Sequence, residues 1–175
     1  VKDFSVTSSI KPQIIIHVAQ LQDADRWLTQ LMKNGVNDFD IIGLSHYYQW
    51  SNYHNMNRVG EKIDSLRTLY KKKVMIVETA VPWTEKNADT YNNILAADKK
   101  IDGVYEISIN GQQLYMDDLI TQIRIHGGSG MMYWEPCWIT SPMKDLWGRG
   151  SAWDNATWFN FTGNLHKGLL FPKNK

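Results

Sequence analysis

A single cysteine, Cys137, stands in 175 residues, which excludes an internal disulfide and a cysteine-based zinc cluster. No apolar run reaches the roughly 18 residues needed to span a membrane. Charge of one sign is also missing. Nineteen Lys and Arg stand against 18 Asp and Glu, a formal net charge of +1. There is no global field to gather nucleic acid or anionic lipid. The one basic run, Lys71-Lys72-Lys73, lies between an amphipathic segment and an apolar run and reads as a solvated turn. The start, Val1-Lys2-Asp3-Phe4, carries no signal-peptide pattern. No Gly-x-Gly-x-x-Gly follows the first apolar run and no Gly-x-x-x-x-Gly-Lys occurs, which argues against dinucleotide and P-loop sites. No internal repeat is found, and no metal-ligand pattern stands out.

Aromatics are plentiful instead. The chain has eight Trp and eight Tyr, and Trp134, Trp138, Trp147, Trp153 and Trp158 fall in its last quarter. One Trp is ordinary core. Five interleaved with Gly, Ser, Pro and Asn point to loops that present flat rings, for which carbohydrate faces are a common partner.

Four short apolar runs read as buried parallel strands: Ile14 to Val18, Asp40 to Ser45, Val74 to Glu78 and Gly130 to Trp134. Helical faces lie between them. Asp23 is a candidate N-cap, followed by Ala24, Trp27, Leu28, Leu31 and Met32, with Gly35 as the stop. A second face is Met56, Val59, Ile63, Leu66 and Tyr70, and a third Leu119, Ile120 and Ile123. After the fourth run the chain is loop-like and ends in Leu169-Leu170-Phe171-Pro172. Alternating strands and helices imply an α/β fold with a parallel sheet, one domain or part of one over residues 1–175. Polar and aromatic residues gather just after each run: His17, Ser45 to Trp50, Glu78 to Trp83 and Trp134 to Trp138. Such clustering at strand carboxyl ends marks the active face of a (β/α)8 barrel, of which four strands are half.

Glu78 carries the chemistry. It closes an apolar strand and is followed by Thr79-Ala80-Val81-Pro82-Trp83. The strand fixes the carboxylate, the loop shapes a cleft, and the ring can stack on a sugar. Capping of loop N–H groups is the structural alternative. Alternation sets Ser45 and Tyr47 on one side of their strand and Ile76, Glu78 and Ala80 on one side of theirs, so these faces are expected to agree. Trp134 and Glu135 are expected on opposite faces, which turns Glu135 away if Trp134 lines a sugar site. His17 is a candidate for a sugar hydroxyl, and Trp50, Trp83 and Trp138 are candidate platforms. Asp145 and Asp154 are spaced loop acids. Asn155-Ala156-Thr157 and Asn160-Phe161-Thr162 fit glycosylation sequons. Cys137 is expected to fill core space.

These motifs resemble the carboxyl-terminal half of the family 53 glycoside hydrolases, the arabinogalactan endo-β-1,4-galactanases. Phe39 to Tyr47 is similar to the sixth strand of that family, and Val77-Glu78-Thr79-Ala80 with Pro82-Trp83-Thr84 to the seventh. Gly111-Gln112 resembles the start of the seventh helix, and Gly130 to Trp138 the eighth strand. Gly150 to Asn155 and Phe159 to Gly163 resemble the closing part. The first run, Ile14 to Val18, resembles the fifth strand. The family usually has two Tyr and a Pro after the Ser of strand six, where this chain has His46, Tyr47 and Tyr48.

The resemblance implies a retaining glycosidase that cleaves internal β-1,4-galactosidic bonds, with Glu78 as nucleophile. His17, Ser45, Tyr47, Trp83, Trp134 and Trp138 are the expected substrate contacts, and Tyr47 the expected donor to Glu78. The family's acid/base Glu sits in an Asn-Glu pair after strand four. No such pair occurs here, so the fragment alone is expected to be inactive. No cofactor is expected, although some family members bind calcium between loops seven and eight. Galactan or arabinogalactan is the implied partner, with self-association or pairing with an amino-terminal half. The full-length parent is expected to be secreted, periplasmic or at the cell surface. The alternatives are a non-catalytic carbohydrate-binding half-barrel and another retaining endo-glycosidase of the same clan.

Overall fold

A computed structural model describes residues 2–95, 104–144, 146 and 148–166. The described chain forms two compact units. One holds Val1–His46, Ser51–Glu78 and Gln122–Met132. The other holds Tyr47–Trp50, Thr79–Thr121 and Tyr133–Lys175.

The first unit carries the sheet. Strands β1 (Ile15–Val18), β2 (Ile41–Ser45) and β3 (Lys73–Glu78) lie parallel in the order β1-β2-β3. Each falls within one residue of an apolar run read from the sequence. The expected fourth strand is shorter than its pattern suggested. Only Met131 forms a bridge, parallel to Ile76. Ile76 N–H donates to Gly130 O at 3.1 Å, and Met132 N–H to Ile76 O at 2.8 Å. Gly130 has a φ of 140°, so regular strand geometry stops beside it.

Helices α2 (Ala24–Lys33) and α3 (Met56–Tyr70) follow β1 and β2 as expected. A short helix α1 (Lys2–Thr7), not legible in the hydrophobic pattern, precedes them. Asp23 does occupy the N-cap of α2. Its side chain makes no cap bond there, and its Oδ1 instead accepts from Arg26 at 3.2 Å. Asn55 caps α3 properly, its Oδ1 accepting from Asn57 N–H at 2.9 Å. Leu21, Leu28, Ile42, Leu44, Val59, Ile63, Leu66, Val74 and Ile76 are among the buried apolar residues of this unit. In the Lys71–Lys73 turn, Lys71 takes the left-handed C-cap of α3 and Lys72 Nζ donates to Phe39 O at 2.6 Å.

Helix α4 (Ile109–Ile125) begins well before the Leu119 to Ile123 pattern. Its last turn belongs to the first unit, where Gln122 Nε2 donates to Asn57 Oδ1 at 2.9 Å.

One irregularity sets the functional geometry. The β2–β3 ladder pairs Gly43 with Met75 and Leu44 with Ile76, then slips and pairs Ser45 with Glu78. In an unbroken register Ser45 would oppose Val77, and Glu78 would face the other side of the sheet. The bulge brings Glu78 onto the Ser45 face. Strand alternation alone, the basis of the sequence expectation, does not achieve that agreement.

Candidate active site

Three residues at the carboxyl ends of adjacent strands meet in the first unit. Ser45 Oγ donates to Glu78 Oε2 at 2.8 Å, and His17 Nε2 lies 2.7 Å from the same Ser45 Oγ. Ser45 is 2% exposed, while His17 is open to solvent on the outer strand. The ladder continues one step past the bulge, since His46 N–H donates to Glu78 O at 2.9 Å. The Glu78 backbone is thus clamped by β2 and its side chain by Ser45. His46 is fully buried, and burial first, then the nearby charge of His54, holds its pKa down to about 4.

The expected aromatic residues belong to the second unit. Tyr47 is buried, not open, and packs with Ala80, Leu95, Ala152, Trp153 and Ala156, with Trp50 and Trp138 against that cluster. Its ring lies 4.8 Å from Trp50 and 6.0 Å from Trp153. Trp134 is 37% exposed and stands edge-on to Trp153 at 6.3 Å. Its N–H donates to Thr79 O at 2.8 Å, tying the segment after Gly130 to the loop after β3. Trp134 is therefore an open ring set against the buried Trp153. Trp83 is half-buried, with Nε1–H donating to Asp154 O at 3.2 Å and its ring 4.6 Å from His166. It lines a cavity of about 650 Å³ with Thr84, Lys86 and Asn110 among others. Glu135 has a φ of 49°, so the chain turns there and the alternation expected for Trp134 and Glu135 does not hold. Cys137 is exposed and fills no core space. Asn155 is 2% exposed and donates to Leu95 O at 2.7 Å, which hides its sequon. Asp145, Trp147 and the Leu169 to Pro172 segment lie outside the described residues.

Sequence reading missed a hub in the second unit. Gln112 is fully buried, and its Nε2 lies within 3.0–3.3 Å of Val81 O, Tyr133 Oη, Ala156 O and Thr157 O. Tyr133 Oη donates toward Ala156 O at 2.7 Å, and burial raises its pKa. The Gly111-Gln112 motif was the available signal for this junction of the loops near Val81 and Ala156.

A second cluster is built from oxygen. Thr140 Oγ1 lies 2.6 Å from Asp89 Oδ2 and 2.8 Å from Asp154 Oδ2. One hydroxyl proton serves one of these contacts, so the other sets oxygen against oxygen. Asn93 Nδ2 donates to Asp154 Oδ1 at 2.8 Å, and Asn93 Oδ1 is buried with no hydrogen-bond partner. Burial of Asp89 works against its charged form. Hydrogen bonds from Thr140 and from the Ser151 and Tyr91 N–H groups outweigh it and lower its pKa. Among the described residues no three His, Cys, Asp or Glu side chains converge. Two carboxylates with amide and hydroxyl oxygens still suit a hard cation such as calcium, which would relieve the oxygen contact.

Residues 1–171 of the chain match the model for glycosyl hydrolase family 53. The chain belongs to this family. It is 41% identical over 175 residues to the arabinogalactan endo-β-1,4-galactanase of Cellvibrio japonicus, covering 99% of this chain and 46% of that protein. It is 29% identical to the endo-β-1,4-galactanase of Bacillus subtilis over 82% of this chain and 35% of the relative. The chain thus spans under half the length of these relatives. The solved family 53 catalytic domain of Ignisphaera aggregans superposes with a TM-score of 0.77 at 31% identity, over 87% of this chain and 44% of that one. The sheet is consistent with half of that barrel. A Caldicellulosiruptor owensensis endo-1,4-β-xylanase, at 15% identity and a TM-score of 0.54, shares the fold.

Proposed function

We propose that this chain is the nucleophile half of a retaining endo-β-1,4-galactanase and that Glu78 attacks the anomeric carbon of galactan. The observation that carries the reading is the 2.8 Å bond from Ser45 Oγ to Glu78 Oε2, made possible by the bulge. Retention needs a nucleophilic carboxylate about 5–5.5 Å from a second carboxyl group that gives and takes the proton. A hydroxyl that donates to the carboxylate fixes its orientation, which suits the first of these roles. The proton donor is assigned to a segment outside this chain, which contains no Asn-Glu pair. Trp134, Trp138 and Trp83 are proposed as sugar platforms, with Tyr47 supporting the aromatic floor. The oxygen cluster of Asp89, Asn93 and Asp154 is assigned to calcium as a brace for these loops, with no part in the chemistry. A secreted, periplasmic or cell-surface location goes with a polysaccharide substrate.

In a full-length family member carrying this chain, Glu78→Gln should lower turnover of galactan by at least about 10³-fold while binding persists. Glu78→Ala should regain activity on an activated galactoside when azide is added, giving the inverted azide product. Substantial turnover by Glu78→Gln would reject the assignment. A panel of galactan, mannan, xylan and cellulose separates a galactanase from another endo-glycosidase of the clan.

A further inference from the structure

We propose that His17 is a positioning residue that orients Glu78 through the Ser45 hydroxyl and is not primarily a sugar ligand. The inference rests on Glu78 being the nucleophile. Ser45 Oγ has one proton, and that proton is directed to Glu78 Oε2 at 2.8 Å. Toward His17 the same oxygen can only accept. His17 Nε2, 2.7 Å away, is therefore the protonated ring nitrogen. The chain of donation runs from His17 Nε2–H to Ser45 Oγ, and from Ser45 Oγ–H to Glu78 Oε2. A hydroxyl that accepts one hydrogen bond is a better donor in the next.

The sheet builds this relay. His17 pairs with Gly43, two residues before Ser45 on the same face of β2. A Cβ at Gly43 would come within 2.7 Å of Ile15 Cγ2 and 3.0 Å of Val77 Cγ1, so this face is kept low where His17 and Ser45 meet. The bulge then delivers Glu78 to the same face. The titratable groups on the three strands are His17, Lys73 and Glu78, with His46 directly after β2; Lys73 is at the opposite end of its strand. With Nε2 committed to Ser45, His17 has only Nδ1 left for any other partner.

Two measurements test the relay. In the 175-residue chain labelled with ¹⁵N-histidine, the neutral His17 ring should be the Nε2–H tautomer, and Ser45→Ala should shift the Nε2 resonance. In a full-length family member carrying this chain, His17→Phe should lower kcat about tenfold with KM changed less than about twofold, as expected for an interaction made in the transition state. His17→Gln, which keeps an N–H donor, should recover most of the loss. On a Ser45→Ala background, His17→Phe should add nothing further. An Nδ1–H tautomer overturns the proposal, as does a loss confined to KM or full additivity of the two substitutions. Should His17→Phe fail to fold, the tautomer in the unsubstituted chain still decides. Each of these outcomes is distinct from failure of the nucleophile reading, which shows as activity retained by Glu78→Gln.

Discussion

At the residue scale, the strand end is governed by where protons and unmet hydrogen bonds sit. His46 is fully buried and its pKa is depressed from 6.5 to about 4. Between those values the unfolded chain holds a proton that the folded chain does not. His46 therefore supports the fold above about pH 6.5, and that support is lost as pH falls toward 4. We expect stability measured by urea unfolding to fall between pH 7 and 4.5, with a shallower dependence in His46→Asn. An equal slope in the two proteins would remove His46 as the cause. Asp89 has the same sign at lower pH, its contribution fading below the usual carboxylate range. Gln112 illustrates the cost of unmet bonds. Gln112→Leu keeps bulk but removes the amide that faces Val81 O and Thr157 O, while Ala156 O keeps the Tyr133 hydroxyl. Leaving buried carbonyls unsatisfied costs about 1–3 kcal/mol each, so a loss of about 2 kcal/mol or more is expected in a melt. The proposed brace predicts a similar readout. EDTA should lower the Tm of the unsubstituted chain and leave that of Asp154→Asn unmoved.

At the scale of elements, the bulge between β2 and β3 does what no single side chain can. Gly43 sits one step before it, flanked by the stiff branched side chains of Ile15 and Val77. Gly43→Val should overpack this face and destabilise by about 1–3 kcal/mol, with activity of a full-length enzyme falling further because Ser45 is displaced. Unchanged stability would mean that Ile15, on the outer strand, yields freely. The three strands were legible because parallel strands write continuous apolar runs, although β1, expected to be buried, is buried only at Val18 because it is the outer strand of the sheet among the described residues; α2 and α3 were legible because each shows a one-sided apolar face. The bulge was not legible, since a slipped register leaves side-chain types unchanged. The first half of α4 was hidden by Asn110 and Gly111, poor helix formers that the fold accepts because Ser108 Oγ caps the Gly111 N–H at 3.0 Å. The fourth run looked like a strand from its apolar residues, but the positive φ of Gly130 confines it to one bridge. Among candidate site residues, the place of Ser45 and Glu78 at the ends of their strands was legible. Tyr47 follows the strand of Ser45, and its ring packs among Trp50, Trp153 and Ala152.

At the scale of the whole molecule, the sheet of the first unit has an open side. Among the described residues β1 pairs with β2 alone, and Ile15 on it is 37% exposed. Among the described residues the sheet continues beyond β3 only through the Met131 bridge, and the neighbouring Met132 is 51% exposed. An edge with bare backbone groups and exposed apolar side chains is a template for another strand. Relatives that the chain spans for less than half their length have further residues with which to cover such an edge. We therefore expect the isolated 175-residue chain to self-associate with rising concentration, and to do so through β1. Ile15→Lys places a charge on that edge and should shift the sedimentation profile toward monomer without lowering the melting temperature. Adding the amino-terminal half of a family member should compete with self-association and, if it supplies the proton donor, restore galactan hydrolysis that neither half shows alone. A monomer at all concentrations in the unsubstituted chain would mean that β1 is already covered. Hydrolysis by the purified chain on its own would place the proton donor within these residues, and the search for it would then return to Glu135 and the loop carboxylates of the second unit.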